Sequence, residues 1–289
     1  MRAMNDGMTM RLHMDNVDHR TVSGFGFEWK TFDQSKVSVE ESERLFEGYF
    51  GIFPWDKLPL HAAGIDVGCG SGRWARHVAP RVGFLHCIDA SAEALSVARH
   101  NLAELNNCAF HCASVNNMPM EDSCLDFGYS LGVLHHVPDT AAAIRSCVQK
   151  LKIGAPFLIY LYYALENRPA WFRLIWESTN LLRRFISRCP NAIRLVITQI
   201  IAATLYYPLA RISRMAEIVG LSVDGIPLSF YRTRSFYTMR TDALDRFGTS
   251  LEQRFTVHQI RAMMAGAGLG DIKFSDRNPF WCAVGYRQL

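Results

Sequence analysis

The sequence predicts an α/β fold, a doubly wound and mostly parallel seven-stranded sheet, and three observations carry that prediction. From Ala62 onward, short apolar runs alternate with helical stretches, the pattern of βαβ units. One such run, Gly64-Ile65-Asp66-Val67, leads straight into the glycine-rich turn Gly68-Cys69-Gly70-Ser71-Gly72 and then into a helix. The alternation stops between 165 and 250 and resumes near the C terminus, so a largely helical insertion follows the fifth strand.

Strands are expected near 63–67, 84–88, 109–113, 126–131, 155–163, 271–275 and 280–286. Helices fall between them near 73–80, 91–104, 139–150 and 257–267, the last closed by Gly266 or Gly268. Before the sheet, residues 1–60 form a cap segment with a loose polar start over 1–20. Phe25, Phe27 and Trp29 follow at period two, and Ser38-Val-Glu-Glu41 makes a capping box that opens a helix through Phe50. Pro54 and Pro59 end this element. The domain reading is a cap over 1–60, a sheet core over 61–164, an insertion over 165–250 and a closing segment over 251–289.

Composition bounds the function. With 289 residues, 49% of them hydrophobic and 20% charged, the chain can build a full core and is not a disordered tail, a collagen or a mini-protein. Its net charge of +4 is mild for a nucleic-acid binder. The eight cysteines contain no C-x-x-C pair, which argues against a zinc module and a disulfide scaffold and fits a reducing cytosol. Cys108, Phe110 and Cys112 alternate along one strand and read as buried structural thiols, so no metal is expected. Arg2, Asp6 and Arg11 interrupt the start of the chain, and no secretory signal is expected there.

The glycine turn admits two readings. A dinucleotide fingerprint requires G-x-G-x-x-G/A, and its third position falls on Arg73, too large for close helix packing. The spacing present is G-x-G-x-G over Gly68, Gly70 and Gly72. In the next strand, Phe84-Leu-His-Cys-Ile-Asp89 ends on an acid able to accept two ribose hydroxyls, and Ser91 caps the helix that follows. Two further stretches are Ala113-Ser114-Val115-Asn116-Asn117-Met118-Pro119 and Ser130-Leu131-Gly132-Val133-Leu134-His135-His136.

Together these motifs resemble the class I S-adenosylmethionine-dependent methyltransferases, in particular the quinone-biosynthesis and small-molecule C- or O-methyltransferases. The resemblance covers about 61–164 and 256–287 and implies a Rossmann-like core. It implies S-adenosylmethionine as cofactor, held by Asp66, Gly68, Cys69, Gly70 and Gly72, by Asp89 and Ala90, by Ser114 and Val115, and by Leu131. The sequence departs from the family where an acid often meets the adenine amino group: Ser114 or Asn116 stands there, a neutral acceptor. A nicotinamide-dependent oxidoreductase, or a methyltransferase acting on RNA or protein, is the competing reading.

In such a site the sulfonium carries the reactivity, and the protein aligns an acceptor and excludes water. His135 and His136, at the carboxyl end of the central strand, are the candidate general bases. The alternative is that one imidazole bonds the loop backbone while the other faces cofactor or solvent. Trp29, with Phe25 and Phe27, either covers the cofactor or packs beneath a helix on the sheet. Arg73 either meets the methionine carboxylate or is solvated or ion-paired.

The insertion concentrates charge of one sign. Between Glu166 and Arg214 lie eight arginines and two acids, a net +6 that leaves −2 for the rest of the chain, and no lysine occurs between Lys152 and Lys273. Residues 170–188 read as a helix with Trp171, Leu174, Ile175, Leu182, Phe185 and Ile186 on one face and Arg173, Glu177, Arg184 and Arg188 on another. A second apolar stretch runs from Leu195 to Ala210. Its 16 uncharged residues reach only ~24 Å, short of a bilayer core. The insertion is therefore read as a lid over an apolar or amphiphilic acceptor, as a membrane-interface element, or as a homo-oligomer contact. Tyr231 to Asp242 interleaves aromatics with arginines, which suits a small or lipid-like acceptor with an anionic or aromatic part; nucleic acid is disfavoured. Trp29, Tyr162, Arg232, Arg234, Tyr237 and Arg240 are the candidate acceptor-binding residues. The expected place is the cytoplasm, with peripheral contact at the inner membrane face as a further option.

Overall fold

A computed structural model describes residues 16–166, 168–223 and 225–288. In chain order the elements are α1 (His19–Thr31), α2 (Val39–Phe50), β1 (Ala63–Val67), α3 (Ala75–Val78), β2 (Phe84–Asp89), α4 (Ala92–Asn101), β3 (Cys108–Cys112), β4 (Phe127–Leu131), α5 (Thr140–Lys150) and β5 (Pro156–Tyr160). They continue with α6 (Ala170–Ile186), α7 (Asn191–Ile201), α8 (Tyr207–Ile218), α9 (Phe236–Gly248), α10 (Val257–Gly266), β6 (Leu269–Phe274) and β7 (Cys282–Arg287). Chain contacts divide the molecule into two compact units: Met1–Asp33, Glu43–Ala164 and Leu251–Leu289 form one, and Gln34–Ser42 with Leu165–Ser250 form the other.

The first unit holds the sheet, in the order β3-β2-β1-β4-β5-β7-β6. β1 to β5 pair in parallel, and β7 runs antiparallel to both β5 and β6. Strand order reverses between β1 and β4, and a crevice outside the carboxyl ends of parallel strands forms at such a switch point. The central strands are apolar because both faces are covered: every residue of β4 is buried. The helices start on side-chain caps. Ser91 Oγ accepts from Ala94 N–H at 3.2 Å, Asp139 Oδ1 from Ala142 N–H at 2.9 Å, and Thr256 with Gln259 completes a capping box at α10.

Three expectations are corrected in this unit. The segment bearing Phe25, Phe27 and Trp29 is a helix despite their period-two spacing: Asp18 caps it by accepting from Thr21 N–H at 2.7 Å, and it packs along α4, where Gly26 allows close approach to Ser91. Residues 1–15 lie outside the described residues, but from Asn16 the start is not loose. The Asn16 amide exchanges two 2.8 Å hydrogen bonds with the backbone of Asp139. Finally, Cys112 is exposed and Cys108 only half-buried, because β3 is an edge strand of the sheet.

The second unit is helical. α7 passes through a π turn at Ala202–Tyr206 into α8, giving one helix from Asn191 to Ile218, 28 residues long, eight more at its C-terminal end than the apolar stretch read from the sequence. Its core joins Ile186, Ala202, Tyr206 and Ala210 to Met239, Ala243 and Phe247 of α9. Arg183, which lies among the exposed arginines in sequence, is buried; it donates to the carbonyls of Thr249 and Ser250 at 2.7 and 3.2 Å and so anchors the end of α9. The capping box at Ser38 is half-formed. Ser38 Oγ accepts from Glu41 N–H at 3.2 Å, while the Glu41 carboxylate accepts from Ser235 N–H at 3.1 Å and Thr238 Oγ1 at 2.8 Å.

Candidate active site

β1 ends where the chain must turn sharply, and the glycines permit it. Gly68 takes φ +76° and Gly70 φ +55°, left-handed values that cost other residues energy. A Cβ at Gly68 would lie 2.4 Å from Val133, and one at Gly70 would lie 2.8 Å from the indole nitrogen of Trp29. The turn is stitched to β2: Gly68 N–H and Cys69 N–H both donate to the Ile88 carbonyl, at 2.8 and 2.9 Å.

Asp89 closes the clasp. Its Oδ2 accepts from Gly70 N–H at 2.9 Å and its Oδ1 from Ser91 N–H at 2.8 Å, so the carboxylate ties the glycine turn to the start of α4. Burial raises its pKa, and the N–H donors of Ser91 and Gly70 work against that rise. Each oxygen uses one protein donor and keeps acceptor capacity for another, which suits a pair of ligand hydroxyls. A glycine cradle with this acid beside it fits the ribose end of S-adenosylmethionine.

Asp66 has a different place. It is 1% exposed, and Tyr129 Oη donates to its Oδ2 at 2.9 Å from the neighbouring strand. Burial pushes its carboxyl up to about 8. Asp66 therefore lies beneath the turn, tied to the neighbouring strand through Tyr129. Cys69 is likewise buried, so its contribution to a ligand is through its backbone. Ala90 is exposed at the same edge, Ser114 is half-buried just beyond β3, and Val115 and Leu131 are buried and apolar. Asn116 is exposed, and Ser146 Oγ donates to its amide oxygen at 3.2 Å.

After β4 the chain makes a short 3-10 turn, Leu134–His136, that buries both histidines. His136 Nδ1–H donates to the Leu251 carbonyl at 2.6 Å, which realises the backbone-anchoring alternative for this residue. His135 is enclosed between the rings of His136 and Tyr162, each 3.9 Å away centroid to centroid, and neither of its ring nitrogens has a hydrogen-bond partner among the described residues. Burial, with smaller contributions from His136 and Arg254, holds its pKa well below the ordinary value, so this imidazole is neutral.

Sequence reasoning named Tyr162 here but missed the aromatic side chains around it. Tyr160, the last residue of β5, makes edge contacts with Tyr49 and Tyr162 at 5.1 and 5.9 Å, and Tyr49 leans on Trp74 at 4.7 Å. The Arg254 guanidinium lies 5.1 Å over Tyr162 and pairs with Glu252 at 2.9 Å. The alternation Tyr160-Leu-Tyr162 at a strand end is the one signal that pointed there.

The acceptor candidates divide between the units. Trp29 and Tyr162 belong to the sheet-bearing unit, whereas Arg232, Arg234, Tyr237 and Arg240 belong to the helical one. Two of the arginines are committed inside that unit: Arg232 pairs with Glu217 at 2.9 Å, and Arg240 Nε donates to Gln199. Tyr237 Oη accepts from Gln34 N–H at 2.9 Å, and the Arg234 guanidinium lies 4.8 Å over Phe230. Arg73, beside the turn, stacks on Trp74 at 4.4 Å. Among the described residues no group of three or more His, Cys, Asp or Glu is placed to hold a metal.

Comparison with known proteins follows the same geometry. Residues 65–159 match a family model described as a methyltransferase domain. Ubiquinone biosynthesis O-methyltransferase of Xanthomonas oryzae pv. oryzae (strain PXO99A) is 28% identical over 180 residues, covering 62% of this chain and 71% of that protein. The protein of the same name from Neisseria meningitidis serogroup A is 31% identical over 124 residues, 41% of this chain and 51% of that protein. The crystal structure of human N-acetylserotonin methyltransferase in complex with SAM aligns with a TM-score of 0.50 at 14% identity, over 90% of this chain and 56% of that one, a likeness of fold.

Proposed function

Because the chain belongs to the class I S-adenosylmethionine-dependent methyltransferases, we propose that it methylates a small aromatic or amphiphilic acceptor at a hydroxyl group. The Asp89 clasp carries the cofactor half of this reading: one carboxylate fixes the glycine turn through Gly70 and keeps acceptor capacity on both oxygens. When bound, the cofactor supplies an electrophilic methyl group on sulfur. Asp89 would accept from the ribose hydroxyls, Ser114 would serve the adenine, and the turn backbone would hold the methionine portion.

The acceptor half rests on the wall of Tyr49, Tyr160 and Tyr162 at the carboxyl edge of the sheet. Flat rings offer stacking area to a planar acceptor and exclude water from the reacting atoms. His135 is the proposed base. Its imidazole is neutral and lacks a hydrogen-bond partner among the described residues, so a ring nitrogen is open to take the hydroxyl proton. His136, bonded to Leu251, positions it. The relatives named as ubiquinone biosynthesis O-methyltransferases favour a phenol or catechol over an amine. Eight free thiols suit a reducing cytoplasm.

The test is release of S-adenosylhomocysteine over a panel of catechols, prenylated phenols and arylamines. Turnover on a phenol, with kcat lowered about 100-fold by His135→Gln and cofactor affinity unchanged, is the expected result. Turnover confined to amines, or a His135→Gln enzyme with unchanged kcat, contradicts it.

A further inference from the structure

The helical unit turns an apolar face outward. On α6, Trp171, Leu174, Ile175, Leu181, Leu182 and Phe185 all lie within one arc of the helix, and Leu174, Leu181 and Phe185 are 65%, 71% and 68% exposed. Arg183 and Ile186, on the flank of α6 next to Ile175, are the buried residues of the helix, so the unit's core takes that flank and leaves the arc exposed. Arg173, Glu177 and Arg184 border the arc along one edge, and Arg188 follows in the turn after the helix; all four are exposed and together carry a net +2. The long helix α7–α8 repeats the arrangement: Ala202, Tyr206 and Ala210 are buried, while Val196, Ile200, Met215 and Ile218 are more than half exposed.

We propose that these faces dock on an anionic lipid bilayer, lying in its interface. Contiguous apolar surface of this extent marks an interaction site on a water-exposed protein. Charge complementarity selects the occupant. An apolar arc bordered by arginines matches a surface that is apolar below and anionic at headgroup level, and Trp171 is the residue type that settles at that boundary. A second copy of the chain would bring arginines against arginines at the edge of the same arc. By length and composition the 28-residue helix α7–α8 could cross a bilayer, but packing favours an interfacial placement. The inner side of α7–α8 forms the unit's core with α9, so lipid can cover only the outer side. The surface belongs to the helical unit alone and stands apart from the acceptor reading.

The experiment is flotation of the full chain with vesicles of phosphatidylcholine alone and with vesicles that also contain phosphatidylglycerol. Wild type should float with the second and not the first, and high salt should weaken it. The variant Leu174→Gln/Leu181→Gln/Phe185→Gln and the variant Arg173→Gln/Arg184→Gln/Arg188→Gln should each lower binding roughly tenfold or more. Each should keep the wild-type thermal midpoint and cofactor affinity. If the apolar variant fails to fold, the arginine variant and the vesicle-induced blue shift of Trp171 fluorescence, absent in Trp171→Phe, decide in its place. Flotation unchanged in the arginine variant, no flotation of wild type, or a dimer in sedimentation equilibrium that the apolar variant converts to monomer overturns the proposal.

Discussion

The two units use apolar residues in opposite ways. In the sheet-bearing unit the large aliphatic and aromatic side chains of β1, β4 and β5 are buried almost without exception, and the polar groups left inside are paired or gathered at the carboxyl edge. In the helical unit, half of each amphipathic helix fills a small core, and the other half shows Leu, Ile, Val and Phe to the outside. Exposed apolar surface of this extent marks an interaction site. The contrast separates a part shaped by folding and chemistry from a part shaped by contact.

The sharpest way to break this contrast is to truncate matched phenylalanines. Phe247→Ala removes a ring buried in the helical unit's core and should cost about 3 to 5 kcal/mol in urea unfolding. Phe185→Ala removes an exposed one and should stay within about 0.5 kcal/mol of wild type. Similar losses at both sites would mean that the outward face is packed in solution. Next in size, Gly68→Ala in the sheet-bearing unit combines a left-handed backbone with the clash at Val133, and a loss of about 2 to 4 kcal/mol is expected. Thermal unfolding followed by circular dichroism reads it directly.

Arginines make the same comparison with charge. Arg183→Gln strips donors from the carbonyls of Thr249 and Ser250 inside the helical unit, for about 1 to 3 kcal/mol. Arg184→Gln, one residue on and exposed, should change stability by less than about 0.5 kcal/mol. Equal effects in denaturant unfolding would erase the distinction between anchoring and surface arginines.

The smallest expected effect is a pH slope. The Asp66 carboxyl ionises near its ordinary 3.8 in the unfolded chain and is pushed up to about 8 by burial in the fold. Between those values the native state holds the extra proton, so this group's contribution to stability falls as pH rises from about 4 to about 8 and levels above that. Asp66→Asn keeps an acceptor for Tyr129 and removes the slope, so the variant should gain about 1 kcal/mol over wild type when the two are compared near pH 6 rather than near pH 5. Parallel pH profiles for the two proteins would show that Asp66 is ionised in the fold.

The sheet, the glycine turn and the place of Asp89 beside it were legible because their signals are local. Alternating apolar runs mark strands, glycine spacing marks the turn, and Asp89 lies at the end of its own strand within that pattern. The acceptor half was not. Tyr49, Trp74, Tyr160 and Arg254 come from separated elements and converge only through topology. The period of Phe25, Phe27 and Trp29 misled because the Asp18 cap and the packing of Gly26 on α4 favour a helix over the alternation. Arg232 and Arg240 read as acceptor-binding arginines and Arg183 as one more charge of the insertion, and their partners at Glu217, Gln199 and Thr249 are distant or unremarkable in sequence. Composition records how many arginines a segment has; the fold decides which of them remain available.

Central to the account is that the carboxylate of Asp89 couples the glycine turn to a bound nucleoside. Isothermal titration of the full chain with S-adenosylmethionine, and of its Asp89→Ala variant, measures this most directly. Wild type should bind S-adenosylmethionine and ignore NAD, and the variant should bind at least about 100-fold more weakly, because it loses the ribose acceptor and leaves two backbone N–H groups unpaired. Tight binding of NAD in place of S-adenosylmethionine, or an Asp89→Ala variant with wild-type affinity, would contradict it.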